Sequence, residues 1–242
     1  MNRIKTLTLL LLVLASCAKD EPDPPDADKS DVFGSVKLFD EGQTQISNAG
    51  MVVSIEGTVP LISDTSDADG DFRLKDVLFG NITVVYSKEG YGTYKLINLP
   101  HNNTGQHNQL PTPVLGQLSS TSVIGLTDSV RSDNVRLFIT IDPEATVDGP
   151  KYVRLFFGSV NTVDFNEYTS TFKLTFIEES PNEVLLTPIQ LSNLGFSSGE
   201  TVYVKVYGDS FYSNDYFDPG TGFQVFPNVS PVSASEVSFV SP

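Results

Sequence analysis

The chain has 242 residues, with 30 acidic side chains against 15 Lys and Arg, for a formal net charge of −15. That balance excludes the clustered cations that nucleic-acid binding requires, and a single Cys excludes both an internal disulfide framework and a cysteine-based zinc site. A hydrophobic share of 39% is enough for packed cores, and the length suits one or two domains.

Arg3 and Lys5 open the chain, the unbroken apolar run 9–14 follows, and Ala15-Ser16-Cys17 closes the segment. A basic start, a short apolar stretch and small residues before a cleavage point predict a secretory signal over residues 1–16. The apolar part is too short to span a bilayer, which takes about 20 apolar residues. Leu14-Ala15-Ser16-Cys17 resembles the bacterial lipobox. The resemblance implies cleavage just before Cys17 and fatty acyl (palmitate-type) chains on its thiol. Several chains anchor firmly where one does not, so the membrane is the first expected partner.

Residues 17–30 carry five acids, two lysines and three prolines after Cys17. Such a segment cannot build a core and is expected to be a disordered acidic tether. Lys19-Asp20-Glu21 resembles the acidic export signal of surface lipoproteins in Bacteroidetes. That implies an outer-membrane, lipid-anchored protein facing the cell exterior, the other reading being one held on the periplasmic side.

Alternating apolar runs bounded by Gly, Asp, Asn and Pro then dominate, with no sustained helical period. The expected fold is all-β: two β-sandwich domains, over residues 31–118 and 119–242. In the first, a strand runs from Val32 to Phe39 and a turn follows at Asp40-Glu41-Gly42. Met51, Val53 and Ile55 share one face, with Val52 breaking the alternation. Asp69-Gly70 makes a tight turn before Phe72 and Leu74, and Ile82–Tyr86 forms another strand. These residues resemble the carboxypeptidase regulatory-like domain family: Gly34-x-Val36, Ala49-Gly50-Met51-Val52-Val53, Thr65-x-x-x-Asp69-Gly70-x-Phe72-x-Leu74, Val77-x-x-Gly80 and Lys88-x-Gly90-Tyr91. The resemblance implies a seven-stranded, transthyretin-like sandwich, mostly non-catalytic. The polar segment from Pro100 to Pro113 reads either as a linker or as a hairpin of this first module.

In the second module apolar stretches recur at 122–126, 135–141, 152–157, 172–177, 184–191, 202–207 and 223–229, which predicts about seven short strands in an Ig-like sandwich. Leu191-x-x-Leu194, Ser198-Gly199-Glu200-Thr201 and Val204-Lys205-Val206-Tyr207 are similar to the late-strand signature of fibronectin type III domains. Val202 stands where the family has a corner tyrosine, and no Trp fills the early core position.

Four groups are candidates for chemistry. Asp67, Asp69 and Asp76 have the spacing of a calcium loop, but Thr65 occupies the first ligand position and Arg73 lies nearby. The competing reading is a hairpin turn that uses Asp and Gly for their backbone preferences. His101 and His107 lie in a polar stretch and are expected to be exposed loop residues. Asp128-Ser129-Val130 resembles a short O-glycosylation motif of Bacteroidetes secreted proteins, with Ser129 as acceptor. The stretch Asp209–Gly220 is packed with aromatics, Asp and Asn. Its Tyr212, Asn214, Asp215, Tyr216 and Asp218 are the ligand-binding candidates, because aromatics stack on sugar rings while Asp and Asn bond hydroxyls. The competing reading tucks the aromatics into a core.

There is no serine nucleophile elbow, phosphate-cradling Gly loop or His-Glu-x-x-His motif in the sequence. The expected function is therefore a non-enzymatic surface binding or adhesion module for a glycan or protein ligand, without cofactor or resident metal. The alternative is a structural accessory that docks with an outer-membrane transporter or assembly.

Overall fold

A computed structural model describes residues 28–104 and 108–242. Cys17 and His107 lie outside them, as does the expected tether up to residue 27. Among the described residues no helix is long and apolar enough to cross a membrane.

The first sandwich contains β1 (Lys29–Ser35), β2 (Lys37–Phe39), β3 (Val52–Ile55), β4 (Ser63–Thr65), β5 (Asp71–Leu78), β6 (Gly80–Ser87), β7 (Tyr94–His101), β8 (Asn108–Gln109) and β9 (Val114–Gly116). β1 and β2 are one strand interrupted at Val36, and β8 and β9 run parallel to them. With β8 and β9 likewise counted as one interrupted strand, seven strands form two layers: β5-β1-β8 with the β2-β9 extension, facing β4-β3-β6-β7. Val32, Val36, Leu38, Met51, Val53, Leu74 and Val84 are at most 1% exposed between them. The alternation around Val52 is regular, because Val52 points outward and Met51 and Val53 inward. The described part of the Pro100–Pro113 stretch belongs to this sandwich: Asn108 and Gln109 pair with β1, and Leu110 is in its core.

His101 departs from expectation. It ends β7 and is only 1% exposed; its Nε2 lies 3.1 Å from the Val77 carbonyl and its Nδ1 2.7 Å from the Asn108 carboxamide. The polar stretch turns back alongside β1 and covers the ring.

The second sandwich contains β10 (Ser122–Val130), β11 (Val135–Asp142), β12 (Lys151–Gly158), β13 (Ser170–Phe176), β14 (Asn182–Leu186), α1 (Pro188–Asn193), β15 (Thr201–Asp209), β16 (Tyr216–Asp218), β17 (Phe223–Val225) and β18 (Val237–Val240). Three strands, β10-β11-β14, face four, β13-β12-β15-β18. Val135, Leu137, Ile139 and Ile141 point into the core, and Arg136, Phe138 and Thr140 away from it.

Two apolar stretches form something other than the expected strands. Residues 184–191 leave β14 and turn into α1, because Pro188 suits a first helical position and Thr187 with Gln190 forms a capping box. Residues 223–229 give only β17, which pairs with β16 in a small hairpin. The sandwich is closed instead by the short β18 against β15.

β12 is buried on both faces, which is why 152–157 reads as an unbroken apolar run rather than an alternation. Val153, Leu155 and Phe157 face the sandwich core. On the opposite face Phe156 packs with Val163, Tyr207, Phe226 and Val229 in a separate cluster. The connection from β15 to β18, which holds the β16–β17 hairpin, folds back over this outer face.

Candidate functional site

That long connection also meets the first sandwich. Its opening residues are the aromatic stretch singled out above, and they form the contact between the modules. Phe211 N–H donates to the Glu41 carbonyl at 2.9 Å, and Ser210 Oγ donates to the Gln117 carbonyl at 2.5 Å. Tyr212 lies against Phe39, with ring centroids 4.5 Å apart. Tyr216 meets Tyr94 edge to face at 6.0 Å.

The polar centre of the junction is a pair of asparagines. Asn214 has φ 55°, a left-handed conformation that Asn tolerates well. Its Oδ1 accepts from Gly116 N–H at 2.8 Å, and its Nδ2 donates to the Gly116 carbonyl at 2.9 Å. Asn228 is completely buried. It accepts from Gly92 N–H at 3.0 Å and donates to the carbonyls of Gly116 and Tyr212. Close backbone approach requires glycine here: a Cβ on Gly92 would lie 2.4 Å from the Pro227 carbonyl oxygen.

The rim carries one charged fastening. Glu41 accepts from Lys151 Nζ at 2.8 Å and from the Ser120 backbone and hydroxyl at 2.7 and 2.9 Å. Burial pushes its carboxyl up, but these bonds outweigh that and hold it below its ordinary 4.5.

Beside the junction opens a cleft of about 390 Å³. Tyr94, Val114 and Leu115 line it from the first sandwich, and Arg154, Lys173 and residues 211–215 from the second. Its two cations are both bonded within the protein. Arg154 Nε donates to Asp209 at 2.7 Å and its Nη2 to Ser213 Oγ at 3.1 Å, while its guanidinium stacks 4.3 Å from the centre of the Phe226 ring. Lys173 donates all three protons, to the carbonyls of Ser210 and Phe211 and to Ser213 Oγ. Burial lowers its pKa. The two cations thus shape the loop from beneath.

What faces outward is aromatic and acidic. Asp215 is exposed, Tyr94, Tyr212 and Tyr216 are half-buried, and burial raises the Tyr94 hydroxyl with help from the Asp215 charge. Tyr94 therefore presents a neutral hydroxyl beside a carboxylate.

The candidates from sequence divide accordingly. Asn214 is only 5% exposed and fully engaged in holding the modules, so it is a junction residue rather than a ligand contact. Tyr212 serves both junction and cleft. Asp215 lines the cleft and Tyr216 lies at the junction beside Tyr94, while Asp218 accepts from Gly220 N–H in the β16–β17 turn.

Asp67 Oδ1 accepts from the backbone of Asp69 and Asp71, and Gly70 has φ 94°, which is the hairpin-turn geometry. Asp76 lies five residues along β5 from Asp71, about 16 Å away at strand rise. Among the described residues no three His, Cys, Asp or Glu gather as a metal site would need. Ser129 lies half-buried on β10, opposite Arg136.

Tyr94, Glu41, Arg154, Lys173 and Asn228 were not singled out from sequence. Arg154 carried a signal, since it interrupts the apolar run 152–157, whereas Lys173 sits in a mixed strand and carried none.

No family model and no curated protein matches this chain. Among solved structures it is similar to a DUF3823 family protein of Parabacteroides merdae, with 12% identity over 88% of this chain and 100% of that one and a TM-score of 0.32. It is also similar to a protein of Bacteroides uniformis provisionally called carbohydrate-binding, with 11% identity over 87% of this chain and 98% of that one and a TM-score of 0.32. A third similarity is to a type II cohesin–X-dockerin complex of Acetivibrio cellulolyticus, with 22% identity over 37% of this chain and a TM-score of 0.30. In that case the chain spans 59% of the one it matches.

Proposed function

We propose that this chain is a non-catalytic, lipid-anchored binding protein of a bacterial outer membrane. It faces the cell exterior and takes a neutral, hydroxyl-rich glycan in the junction cleft. The observation that carries the reading is the composition of the cleft rim: Tyr94 and Tyr212 stand beside the exposed Asp215, while Arg154 and Lys173 beneath are bonded to Asp209, Ser213 and the loop carbonyls. Aromatic faces and an exposed carboxylate suit sugar rings and their hydroxyls, and an excess of negative charge disfavours an anionic ligand. Because the sandwiches are fastened at the junction, the cleft is preformed and little ordering opposes binding. The lipobox-like Leu14-Ala15-Ser16-Cys17 and the acidic residues after it support the anchor and the outward orientation.

The test is a printed array of neutral glycans, followed by titration of the best binder. Tyr94→Ala and Asp215→Ala should each weaken binding about tenfold or more, the scale of a lost hydrogen bond to a charged group. Affinity unchanged in both variants, with melting also unchanged, would remove the cleft as the binding site.

A further inference from the structure

The first sandwich has an apolar tip at the end opposite the second sandwich. Val59 is 98% exposed, Leu61 63% and Leu78 64%. Val59 and Leu61 belong to the loop after β3, and Leu78 ends β5 next to the β5–β6 turn at Phe79. The segments are held together at this end: Ile55 N–H donates to the Ile62 carbonyl at 3.0 Å, and Glu56 N–H to the Thr83 carbonyl at 2.9 Å. A groove of about 830 Å³ runs between them, with Val59, Pro60, Ile62, Leu78 and Phe79 on its walls. Water-facing apolar groups gathered at one point mark a contact surface, unlike apolar residues scattered singly.

The path of the chain says what covers this surface. β1 begins here, with Lys29 opposite Leu78, and Phe79 N–H donates to the Asp28 carbonyl at 2.9 Å. Eleven Cα-to-Cα steps separate Asp28 from Cys17, which bounds their distance at about 36–40 Å even for a fully extended chain. The residues that meet the second sandwich, Phe39, Glu41, Gly92 and Gly116, lie at the other end. An acylated Cys17 therefore tethers the molecule by the end that carries this tip, the end away from the cleft. Lys29 and Lys75 line the groove together with Glu56 and Asp76, and Lys29 Nζ lies 3.4 Å from the Asp76 carboxylate, so the rim around the apolar tip is of mixed charge, as suits a zwitterionic headgroup layer.

We propose that the tip formed by Val59, Leu61 and Leu78 rests in the headgroup boundary of the bilayer that holds the Cys17 acyl chains. The inference rests on the anchoring reading given above and adds a second membrane contact to it. Two contacts fix the long direction of the molecule, so the junction and its cleft stand away from the surface.

The test uses the full lipidated chain. Leu61→Cys supplies one free thiol, because the acyl chain occupies the Cys17 sulfur. That thiol is labelled with an environment-sensitive fluorophore, and the protein is reconstituted into phosphatidylethanolamine–phosphatidylglycerol vesicles containing a shallow doxyl-labelled lipid. Ser132→Cys, in the β10–β11 turn far from the junction, is the reference. Quenching at position 61 should be several-fold greater than at 132, and adding Val59→Asp and Leu78→Asp should abolish the difference. Equal quenching at the two positions, on protein whose mass shows an acylated Cys17, overturns tip docking and leaves the anchor standing. A mature mass without acyl chains on Cys17 overturns the anchor, and tip docking with it.

Discussion

The Asn214 carboxamide donates to the carboxamide oxygen of Asn228 at 3.0 Å, and both side chains bond the backbone of Gly116. A loop of the second sandwich thereby completes the hydrogen bonding of a strand end in the first. Without water, those backbone groups have no other partner, so the modules are joined by obligatory polar contacts as well as by aromatic packing.

Asn228→Ala should loosen this join. The change leaves Gly92 N–H and the Tyr212 carbonyl without their partner in a buried site. Each orphaned group costs about 1–3 kcal/mol. Urea unfolding should show a lower midpoint, and hydrogen exchange at Gly92 should rise before exchange in either core. A loss below about 0.5 kcal/mol would mean that aromatic packing alone closes the junction.

Gly92→Ala tests the same contact sterically. An added Cβ would meet the Pro227 carbonyl oxygen at 2.4 Å and its carbonyl carbon at 2.5 Å. Backbone atoms cannot rotate away as a flexible side chain can. The expected result is two folded sandwiches that no longer dock: unchanged strand content by circular dichroism, a larger radius of gyration by solution scattering, and new protease sensitivity near residues 117–121.

These contacts explain what could be read from the sequence. Strand faces were legible wherever one side meets solvent, as in Val135-Arg136-Leu137-Phe138-Ile139, because burial and exposure alternate with the pleat. The aromatic stretch Asp209–Gly220 stood out correctly as unusual, but composition cannot tell a surface for a ligand from a surface for the neighbouring module. Both want rings, amides and carboxylates. His101 was misjudged because its neighbours are polar, whereas its burial is decided by a chain reversal that brings Asn108 and Leu110 back beside β1. β18 escaped notice because four residues carry too little pattern to distinguish a strand from a tail.

The pair Arg154–Asp209 should prove strongly coupled. The Arg154 side chain is 8% exposed and that of Asp209 not at all. Asp209→Asn alone leaves a buried guanidinium short of its counter-charge, a change of the kind that costs about 3–5 kcal/mol. Arg154→Met with Asp209→Asn should cost less than the sum of the single changes, since the second removes a charge the first has stranded. A double-mutant cycle by urea unfolding measures this, and additive single effects would contradict the coupling.

Glu41 should make the junction sensitive to acid. Its carboxyl is partly buried, which by itself would raise its pKa, but hydrogen bonds from Lys151 and Ser120 hold it below 4.5. The folded protein therefore releases this proton more readily than the unfolded chain does. The stabilisation is fully present above about 4.5 and disappears as pH falls through the lower, folded value. Glu41→Gln keeps the shape but ends the charge attraction to Lys151. That variant should be less stable than the parent at neutral pH, and the gap should narrow as the pH falls below about 4.5. The other carboxylates titrate in both proteins, so the difference between the two stability curves isolates Glu41. A gap that stays constant over that range would mean that the Glu41 carboxylate contributes its hydrogen-bonding shape and not its charge.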